Sequence, residues 1–469
     1  MDSLLFWNEV ALEANKVTHS KKEGEQKGPV LSARALAIVH VAMHDAYMGM
    51  NGQTTTWLGN LPAPKPGASV DAAISAAALT SLEYLYPSQK NFFLTKSKEM
   101  PATAGKADGF AYGIEIANRV INIRKNDPTN SDEGYVAPIG RGAHKSDPNN
   151  EQGYLAPFYG KRSSLFSANT KHELDPPATL NSPEYNRVAS QVYTLGIAPE
   201  LTGGLDNGAD KRTPEQTLIG IFWGYDGANG LGTPPRLYNQ IVRKVAIAKG
   251  NDLEANVRLF AMINVAMADA GILAWREKYR YNLWRPVVGI REHDLSMGEC
   301  AEPMTGPLEA NCDPGWLPLG APKTNGNGAK NFTPDFPAYP SGHATFGAAA
   351  LHMTRMFYDP NLKGNRSSDN LFDGLTFVSE EFNGVNRDNN NTLRPSHSRS
   401  FQGGLWDMIV ENGISRVYLG VHWSFDAFKT DNNNDPIFNH KTGGVDLGIA
   451  IAEDIFVNGL NKSAVGPDM

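Results

Sequence analysis

The stretch Arg258-Leu-Phe-Ala-Met-Ile-Asn-Val-Ala-Met-Ala-Asp-Ala-Gly271 is the core of the longest helical pattern in the sequence, which runs over residues 253–279. Small and aliphatic side chains occupy most faces of this pattern, which is typical of a helix buried on all sides. Residues 34–47 align with the stretch at seven of fourteen positions. The match indicates an internal duplication, with two helical bundles of similar plan packed together. Chance similarity between two alanine-rich core helices is the alternative.

The rest of the chain reads as helices joined by irregular segments. Residues 126–183 are rich in Gly, Pro, Asn, Asp and Tyr without a sustained period, which predicts long ordered loops. Because alternating β-branched runs are few, we predict a mainly α fold, with two packed helical bundles in one compact body with long ordered loops. Residues 1–250 would form an N-terminal helical bundle and loop region, and residues 251–469 a C-terminal helical bundle that carries the candidate site. The predicted helices cover residues 31–48 (with Ser32 as the cap), 70–86, 109–123, 185–195, 213–225, 236–248, 253–279, 341–357, 373–385, 406–419 and 445–458, and residues 430–441 are predicted to be a surface loop.

Composition excludes several classes of partner. The formal net charge of −7 and the pI of about 5.9 provide no field that would attract nucleic acid or anionic lipid. No apolar run is expected to reach the roughly 18 residues of a membrane span. The first residues lack the basic region and cleavage site of a signal peptide. We therefore predict a soluble protein without nucleic-acid or membrane partners, and its compartment stays open.

The sequence contains two cysteines, Cys300 and Cys312, which flank a loop rich in Pro, Gly and Glu. Two cysteines in 469 residues exclude a disulfide framework and a thiolate metal site. A local disulfide and two free thiols are both compatible with this spacing.

The segment Ser415-Arg-Val-Tyr-Leu-Gly-Val-His-Trp-Ser-Phe-Asp426 places a cation, an imidazole and a carboxylate close together. Gly420 suits the left-handed position at which a helix ends. The chain should turn there and direct Arg416 and His422 into one pocket. A new helix near His422 would place Asp426 one turn further on, where its carboxylate can accept the second ring N–H. A core histidine bonded to a neighbour is the simpler interpretation.

Two further segments supply groups of complementary kind. Lys278 and Arg285 are seven residues apart, so on one helix they would point in nearly the same direction, and Pro286 would end that helix. In Pro340-Ser-Gly-His-Ala344, Ser341 is a natural N-cap and the first-turn amides can bind an oxyanion. Taken singly, a solvated basic helix face and an ordinary capped helix explain these segments.

The combination of the three segments carries more information than any one of them. Cations that converge without an anion would repel by about 4 kcal/mol per pair at ~4 Å and an effective dielectric of ~20. If the segments meet, the site therefore requires a multiply charged oxyanion.

The motifs Lys278-x₆-Arg285-Pro286, Pro340-Ser-Gly-His343 and Ser415-Arg416-x₃-Gly420-x-His422-x₃-Asp426 resemble the three-part signature shared by vanadium-dependent haloperoxidases and type 2 phosphatidic acid phosphatases. The resemblance extends over most of the chain toward fungal-type vanadium chloroperoxidases, for example through residues 225–227, 232–236 and 380–387. The chain departs from that pattern in three places. It is shorter between about residues 50 and 134, it has an insertion around the two cysteines, and it ends soon after the last helix. These departures leave the oligomeric state open, with a homodimer as one possibility.

The resemblance implies a vanadate cofactor and a reaction that involves hydrogen peroxide, a halide and a small organic acceptor. It implies that His422 binds the metal, that His343 is the acid–base group and that Asp226 supports Arg416. Bromoperoxidases typically carry Arg and His on the halide side, so an aromatic pair there implies oxidation of chloride as well as bromide and iodide. By motif match, the vanadate oxygens would be held by Lys278, Arg285, Ser341, the Gly342 amide and Arg416, and the aromatic pair would be Trp275 and Phe336.

Two other functions are compatible with an oxyanion site. An acid phosphatase would use His422 as the nucleophile and His343 to protonate the leaving group. A non-catalytic phosphate-binding or scaffold protein would need no acid–base group, so His343 argues against it. Trp275, Phe336 and the near-full-length resemblance favour the peroxidase.

Overall fold

The computed structural model describes residues 2–100, 104–148, 153–291, 313, 315–438 and 440–468. The fold is mainly α-helical, which confirms the predicted class. Short 3₁₀ turns and two small antiparallel hairpins complete it. The helices are α1 (Ser3–His19), α2 (Pro29–Met50), α3 (Val70–Leu85), α4 (Lys90–Ser97), α5 (Lys106–Arg124), α6 (Tyr159–Arg162), α7 (Pro183–Leu195), α8 (Pro214–Phe222), α9 (Pro234–Lys249), α10 (Leu253–Tyr281), α11 (Pro286–Gly289), α12 (Gly342–Tyr358), α13 (Gly404–Tyr418), α14 (Ser424–Ala427) and α15 (Gly443–Asn458). The strands are β1 (Leu375–Val378), β2 (Ser398–Phe401), β3 (Lys429–Thr430) and β4 (Pro436–Ile437).

The two longest helices join two groups of helices. Helices α2, α3 and α5 pack on one another, while α10, α12 and α15 form a second group with α9 and α13 at its sides. Helix α2 lies against α10. Most side chains of both helices are buried because each helix is covered by neighbours on several faces. The all-round apolar pattern of α10 therefore reflects its central position.

The aligned aspartates of α2 and α10 perform the same task, which supports an internal duplication. Asp45 accepts hydrogen bonds from the backbone N–H groups of Trp57 (2.9 Å) and Leu58 (2.7 Å). Asp269 likewise accepts from three successive N–H groups at residues 166–168. The two capped loops also meet, because the Trp57 indole donates to the Phe166 carbonyl at 2.9 Å.

Two glycines allow α15 to lie directly on the beginning of α12. A Cβ atom on Gly448 would be 2.4 Å from the Thr345 carbonyl oxygen and 2.8 Å from the Ala349 nitrogen. A Cβ atom on Gly444 would be 2.4 Å from the Ser341 carbonyl oxygen. These contacts are with backbone, which cannot move aside as a flexible side chain can. The position of α15 thus fixes the N-terminal turn of α12.

Several element predictions were wrong in detail. Helix α2 begins at Pro29 after Gly28, and the Ser32 hydroxyl lies inside the helix, where it accepts a hydrogen bond from Asn15 at 2.7 Å. The predicted helix over residues 373–385 is instead strand β1 followed by a 3₁₀ turn. Gly374 has a left-handed φ of 69°, which interrupts a helix, and β1 pairs with β2. The predicted surface loop over residues 430–441 contains the β3–β4 hairpin.

Four of the described helices, α1, α4 and the four-residue helices α6 and α11, lie outside the predicted set. Helix α1 carries a local signal that identifies its start, because the Asp2 side chain accepts from the Leu5 N–H at 2.8 Å. Helix α4 is little more than two turns long, so it has almost no periodic pattern to read.

One described helix, α10, is long and apolar enough to cross a membrane by length and composition, contrary to the sequence expectation. Within the protein, 89% of its most apolar window is buried. Burial in the core explains this composition. The two cysteines, at positions 300 and 312, lie outside the described residues, so their pairing stays open.

Candidate oxyanion site

His422 is held on a turn between two helices, as its sequence context predicts. Helix α13 ends at Tyr418, and Gly420 adopts a left-handed φ of 70°. The Gly196 carbonyl oxygen lies close to Gly420, only 2.5 Å from the position that a Cβ atom on residue 420 would occupy. Helix α14 then begins at Ser424. Only glycine fits this turn, which brings His422 back toward the cavity.

Asp426 fixes the tautomer of the His422 imidazole. Its Oδ2 accepts from the Trp423 N–H at 3.0 Å and lies 2.8 Å from His422 Nδ1. Nδ1 therefore carries the proton and Nε2 has the lone pair. Burial, followed by the charges of Arg285 and Lys278, lowers the pKa of His422 well below its usual value. The ring is thus a neutral imidazole whose lone pair is on Nε2.

The guanidinium of Arg285 lies directly against this nitrogen. Nη1 is 2.8 Å from His422 Nε2 and also donates to the Val421 carbonyl at 2.7 Å, while Nε donates to the Phe336 carbonyl at 2.9 Å. Nη2 is buried and has no hydrogen-bond partner. Burial lowers the pKa of Arg285 to about 9, so it remains a cation at neutral pH.

Lys278 and Arg285 do not share one helix face. Helix α10 ends at Tyr281, and Asn282 reverses the chain in a left-handed conformation, so Arg285 approaches the site from an extended segment. The Lys278 ammonium donates to the carbonyls of Pro337 (2.8 Å), Ala338 (3.0 Å) and Pro340. Burial and the nearby Arg285 charge lower the pKa of Lys278 well below its usual value. Its three donors bind the segment that leads into α12.

The N-terminus of α12 forms the opposite wall. Ser341 caps the helix by accepting from the Ala344 N–H at 3.4 Å, and its own N–H donates to the Asp426 carbonyl at 2.7 Å. A Cβ on Gly342 would be 3.3 Å from the Trp275 ring. The missing side chain therefore leaves room in front of the first-turn amides, where an anion binds favourably.

His343 faces the cavity with a defined protonation pattern. Its Nε2 is 2.7 Å from the Gly224 carbonyl, which can only accept, so Nε2 carries the proton and Nδ1 is the basic nitrogen. Burial and then the Arg416 charge lower the pKa of His343 to about 4, although Asp226, 3.9 Å away, opposes the shift. His343 is thus a neutral base at physiological pH.

Arg416 enters the site from the last turn of α13. Its Nη1 and Nη2 donate to the two carboxylate oxygens of Asp226 at 3.1 and 2.8 Å, and its Nε is buried without a partner. This bidentate contact fixes the plane of the guanidinium. Asp226 therefore holds Arg416 in position, and its negative charge opposes the lowering of the His343 pKa.

Two aromatic rings form an apolar side of the cavity. The centroids of Trp275 and Phe336 are 4.8 Å apart. The Lys278 ammonium lies 5.0 Å from the Phe336 centroid, and the Arg285 guanidinium carbon lies 4.8 Å from it. The rings separate these cations from water, which strengthens their pull on an anion.

The cavity has a volume of about 330 Å³. Seven of the predicted site residues line it: Asp226, Trp275, Phe336, Gly342, His343, Arg416 and His422. Lys278, Arg285 and Ser341 lie just behind that wall, through the contacts given above. Two further lysines, Lys27 and Lys323, also line the cavity; no sequence motif identifies them, because each is an isolated lysine of the kind common on surfaces.

The donor set is suited to an oxyanion with an electrophilic centre. Among the residues that the structure describes, no group of three His, Cys, Asp or Glu side chains is arranged to hold a metal cation. Three basic side chains, a helix N-terminus and one imidazole lone pair converge instead, and within the described parts of the chain Arg285 Nη2 and Arg416 Nε have no hydrogen-bond partner. These residues fit vanadate, whose oxygens would neutralise the cations while its metal binds the imidazole. The fold and site define a helical oxyanion-binding protein with a nitrogen ligand.

Comparison with known proteins identifies the family to which this chain belongs. Residues 1–164 match the vanadium chloroperoxidase N-terminal domain, and residues 258–434 match the VCPO second helical-bundle domain. The vanadium chloroperoxidase of Curvularia inaequalis is 36% identical over 98% of this chain and 90% of its own length. This chain belongs to the vanadium chloroperoxidase family, and the family cofactor is vanadate.

Solved structures show the same fold at lower sequence identity. A bacterial vanadium-dependent iodoperoxidase gives a TM-score of 0.66 at 19% identity, covering 96% of this chain and 95% of its own. An apo-type bacterial vanadium-dependent chloroperoxidase gives a TM-score of 0.61 at 14% identity, covering 93% of this chain and 96% of its own. The fold class and the family resemblance predicted from the sequence are thereby confirmed.

Proposed function

We propose that this haloperoxidase oxidises chloride, as well as bromide and iodide, with hydrogen peroxide to hypohalous acid, which then halogenates a small organic acceptor. The central observation is the neutral His422 nitrogen, fixed by Asp426 from behind and facing three buried cations. The chain's relative from Curvularia inaequalis, named a vanadium chloroperoxidase, supports the choice of reaction. The balanced reaction joins hydrogen peroxide, halide and a proton to give hypohalous acid and water.

We assign the cofactor contacts as follows. His422 Nε2 binds the metal after Arg285 releases the hydrogen bond that it makes there. Arg285, Arg416, the Ser341 hydroxyl and the Gly342 amide hold the oxygens, together with Lys278 if it gives up one of its carbonyl contacts. When bound, vanadate supplies a Lewis acid that activates hydrogen peroxide toward attack by halide.

His343 and the aromatic pair act on the substrates. The basic Nδ1 of His343 accepts a proton from incoming hydrogen peroxide and can return it when hypohalous acid leaves. Trp275 and Phe336 offer the halide an apolar surface, which removes water from it and increases its reactivity. We base the chloride assignment on this pair, which matches chloroperoxidases and not bromoperoxidases.

The test is to load the metal-free protein with orthovanadate and to measure peroxide-dependent halogenation of an organic acceptor with chloride, bromide and iodide. The expected result is vanadate-dependent activity with all three halides. Hydrolysis of p-nitrophenyl phosphate by the metal-free protein, without halogenation by the loaded protein, would instead establish the phosphatase. Activity with iodide alone would refute the assignment of chloride.

Two alanine variants separate the roles of the histidines. His422→Ala should lose vanadate retention, because the nitrogen ligand is gone. His343→Ala should keep vanadate and lose chloride oxidation, because only the acid–base group is gone. Equal vanadate affinity in the two variants, measured by equilibrium dialysis, would contradict this division.

A further inference from the structure

Two lysines from distant parts of the chain lie on the same cavity wall. Lys27 precedes α2, and Lys323 lies in the segment before α12; both line the cavity. Both are partly exposed, whereas His422 and His343 are only 2% and 7% exposed. The lysines therefore occupy the solvent end of the cavity, and the candidate anion site occupies the closed end.

Both ammonium groups contact neighbouring groups other than a directly paired carboxylate in the described part of the chain. Lys27 Nζ donates to the carbonyls of Lys22 (2.7 Å) and Lys21. Lys323 Nζ lies 4.7 Å from the centroid of Phe332, another residue of the cavity wall. In the described part of the chain, neither ammonium forms an ion pair. Burial lowers the pKa of Lys27; the charge of Glu23 opposes this shift, and the nearby charge of Lys323 adds to it.

The acidic residues of the wall act mainly at the closed end. Asp226 is paired with Arg416, and Asp335, which is 8% exposed, acts on the charge of Arg285. Asp132 is the carboxylate nearer the open end, and it accepts from the Tyr154 N–H at 3.1 Å. Burial lowers the pKa of His19, which also lines the cavity, to about 4, so it adds no charge. At the open end, Lys27 and Lys323 thus present ammonium groups that form no direct ion pair with a described carboxylate, although Asp132 and Glu23 lie nearby.

We propose that Lys27 and Lys323 form a cationic entrance that draws small inorganic anions, both halide and vanadate, into the cavity. The net charge of −7 repels such anions from the protein as a whole, so a local positive field at the opening raises their rate of entry. Hydrogen peroxide is neutral and is indifferent to this field. For halide the inference rests on the proposed function, whereas for vanadate it rests on the cofactor alone.

The first test compares the Michaelis constants of the vanadate-loaded variants Lys27→Gln, Lys323→Gln and their double. The KM for bromide should rise about 3-fold in each single variant and about 10-fold in the double, within the range of electrostatic steering. The KM for hydrogen peroxide should not change. Added sodium sulfate should reduce bromide kcat/KM less in the double variant than in the parent, because the field that salt screens is gone.

Matched controls separate charge from packing. Lys363→Gln makes the same change in net charge at an exposed position beyond the far end of α12, and it should leave the bromide KM unchanged. Lys27→Arg and Lys323→Arg keep the charge and should retain the parental KM. An equal rise of the bromide KM in Lys363→Gln, or no rise in the double variant, would refute the proposal that the two lysines form an anion entrance.

A second test does not depend on halogenation. Stopped-flow fluorescence measures the rate at which the metal-free protein takes up orthovanadate. The double variant should take it up several-fold more slowly, while the dissociation rate stays the same. An unchanged uptake rate would overturn the inference. Absence of halide oxidation in the parent protein would refute the proposed function, and the uptake rate would then decide the inference by itself.

Discussion

The Asp426 carboxylate determines which nitrogen of His422 faces the cavity. Its Oδ2 accepts a hydrogen bond from the Nδ1–H at 2.8 Å, so the lone pair is on Nε2, beside Arg285. Such a carboxylate also increases the basicity of the imidazole and fixes the orientation of the ring. If His422 binds vanadate as proposed, the carboxylate would influence cofactor affinity without touching the cofactor.

We expect Asp426→Ala to weaken vanadate binding by about 10- to 100-fold, because the ring loses both its tautomer and its orientation. Equilibrium dialysis gives the affinity, and circular dichroism shows whether the helices are kept. Asp454→Ala removes a carboxylate that pairs with His172, away from the cavity, and serves as the matched control. Equal affinity in the Asp426 variant and the parent protein would show that the carboxylate is dispensable.

Lys278 illustrates what a motif can and cannot specify. The sequence predicts a lysine at the site, and the structure places it behind the cavity wall with the expected neighbours. Its three N–H groups nevertheless bind carbonyls of residues 337–340. A motif specifies the residue type. Which groups accept the hydrogen bonds of its ammonium depends on the path of a loop that is distant in sequence.

At the scale of elements, the contact between α12 and α15 supports the site. Gly448→Ala would place a methyl group 2.4 Å from a backbone oxygen of α12, so one helix must move. We expect a loss of about 1–3 kcal/mol in the free energy of unfolding, together with weaker vanadate binding, since the N-terminus of α12 would shift. Urea unfolding provides the measurement.

Gly203→Ala is the matched control for this substitution. No atom lies within 4 Å of the position that its Cβ would occupy, so its free energy of unfolding should differ from that of the parent by less than about 0.5 kcal/mol. Similar losses in both variants would indicate that the effect comes from glycine replacement in general and not from the helix contact.

The contact between α1 and α2 makes the fold sensitive to acid. His40 donates from Nδ1 to the Leu36 carbonyl at 2.6 Å, and its Nε2 is 2.9 Å from the Asn8 amide nitrogen, an arrangement that requires the neutral ring. Burial lowers the pKa of His40 to about 4 from 6.5. Between these values the unfolded chain binds a proton that the folded chain does not, so stability is lost as the pH falls through this window.

In the parent protein, unfolding between pH 6.5 and 4 should take up about one proton at His40, and we expect His40→Gln to remove this uptake. The unfolding free energy of the variant should therefore fall by ~3 kcal/mol less over this pH range. Urea unfolding at several pH values measures the slope. His397→Gln, at a half-buried position, should keep the parental slope. A parental slope in the His40 variant would assign the acid sensitivity to other groups.

Local signals predict elements better than they predict pairings. Gly420 and Ser341 were correctly predicted as a helix end and a helix cap, because each works through its immediate neighbours. Residues 373–385 were wrongly predicted as a helix because β1 forms only by pairing with β2, more than twenty residues away. The helix that carries Lys278 was expected to extend to Arg285, with Pro286 making the backbone there extended. Arg285 is extended, but the helix ends earlier, at Tyr281, because the reversal at Asn282 has no strong sequence signal.

At the scale of the whole molecule, the metal-free protein buries three basic side chains at one site. Of Arg285, Arg416 and Lys278, only Arg416 forms an ion pair, and Arg285 Nη2 and Arg416 Nε have no hydrogen-bond partner among the described residues. An anion that binds only the folded state stabilises it in proportion to the logarithm of its concentration. The cofactor is therefore a structural ligand as well as a reactant.

We expect orthovanadate at about 100 times its dissociation constant to stabilise the protein by about 2.7 kcal/mol. Thermal unfolding with and without orthovanadate, at matched ionic strength, measures the effect. His422→Ala should show a much smaller gain, because it lacks the nitrogen ligand. An equal gain in that variant would mean that the anion stabilises the protein elsewhere.

The site is assembled from segments that lie between Asp226 and Asp426, and α15, still later in the chain, supports it from behind. During synthesis on the ribosome, a growing chain thus has no complete anion site until nearly all of it has emerged. If vanadate binds at this site, as we propose, it is taken up once the chain is nearly complete, and an unfinished chain would lack part of the binding site.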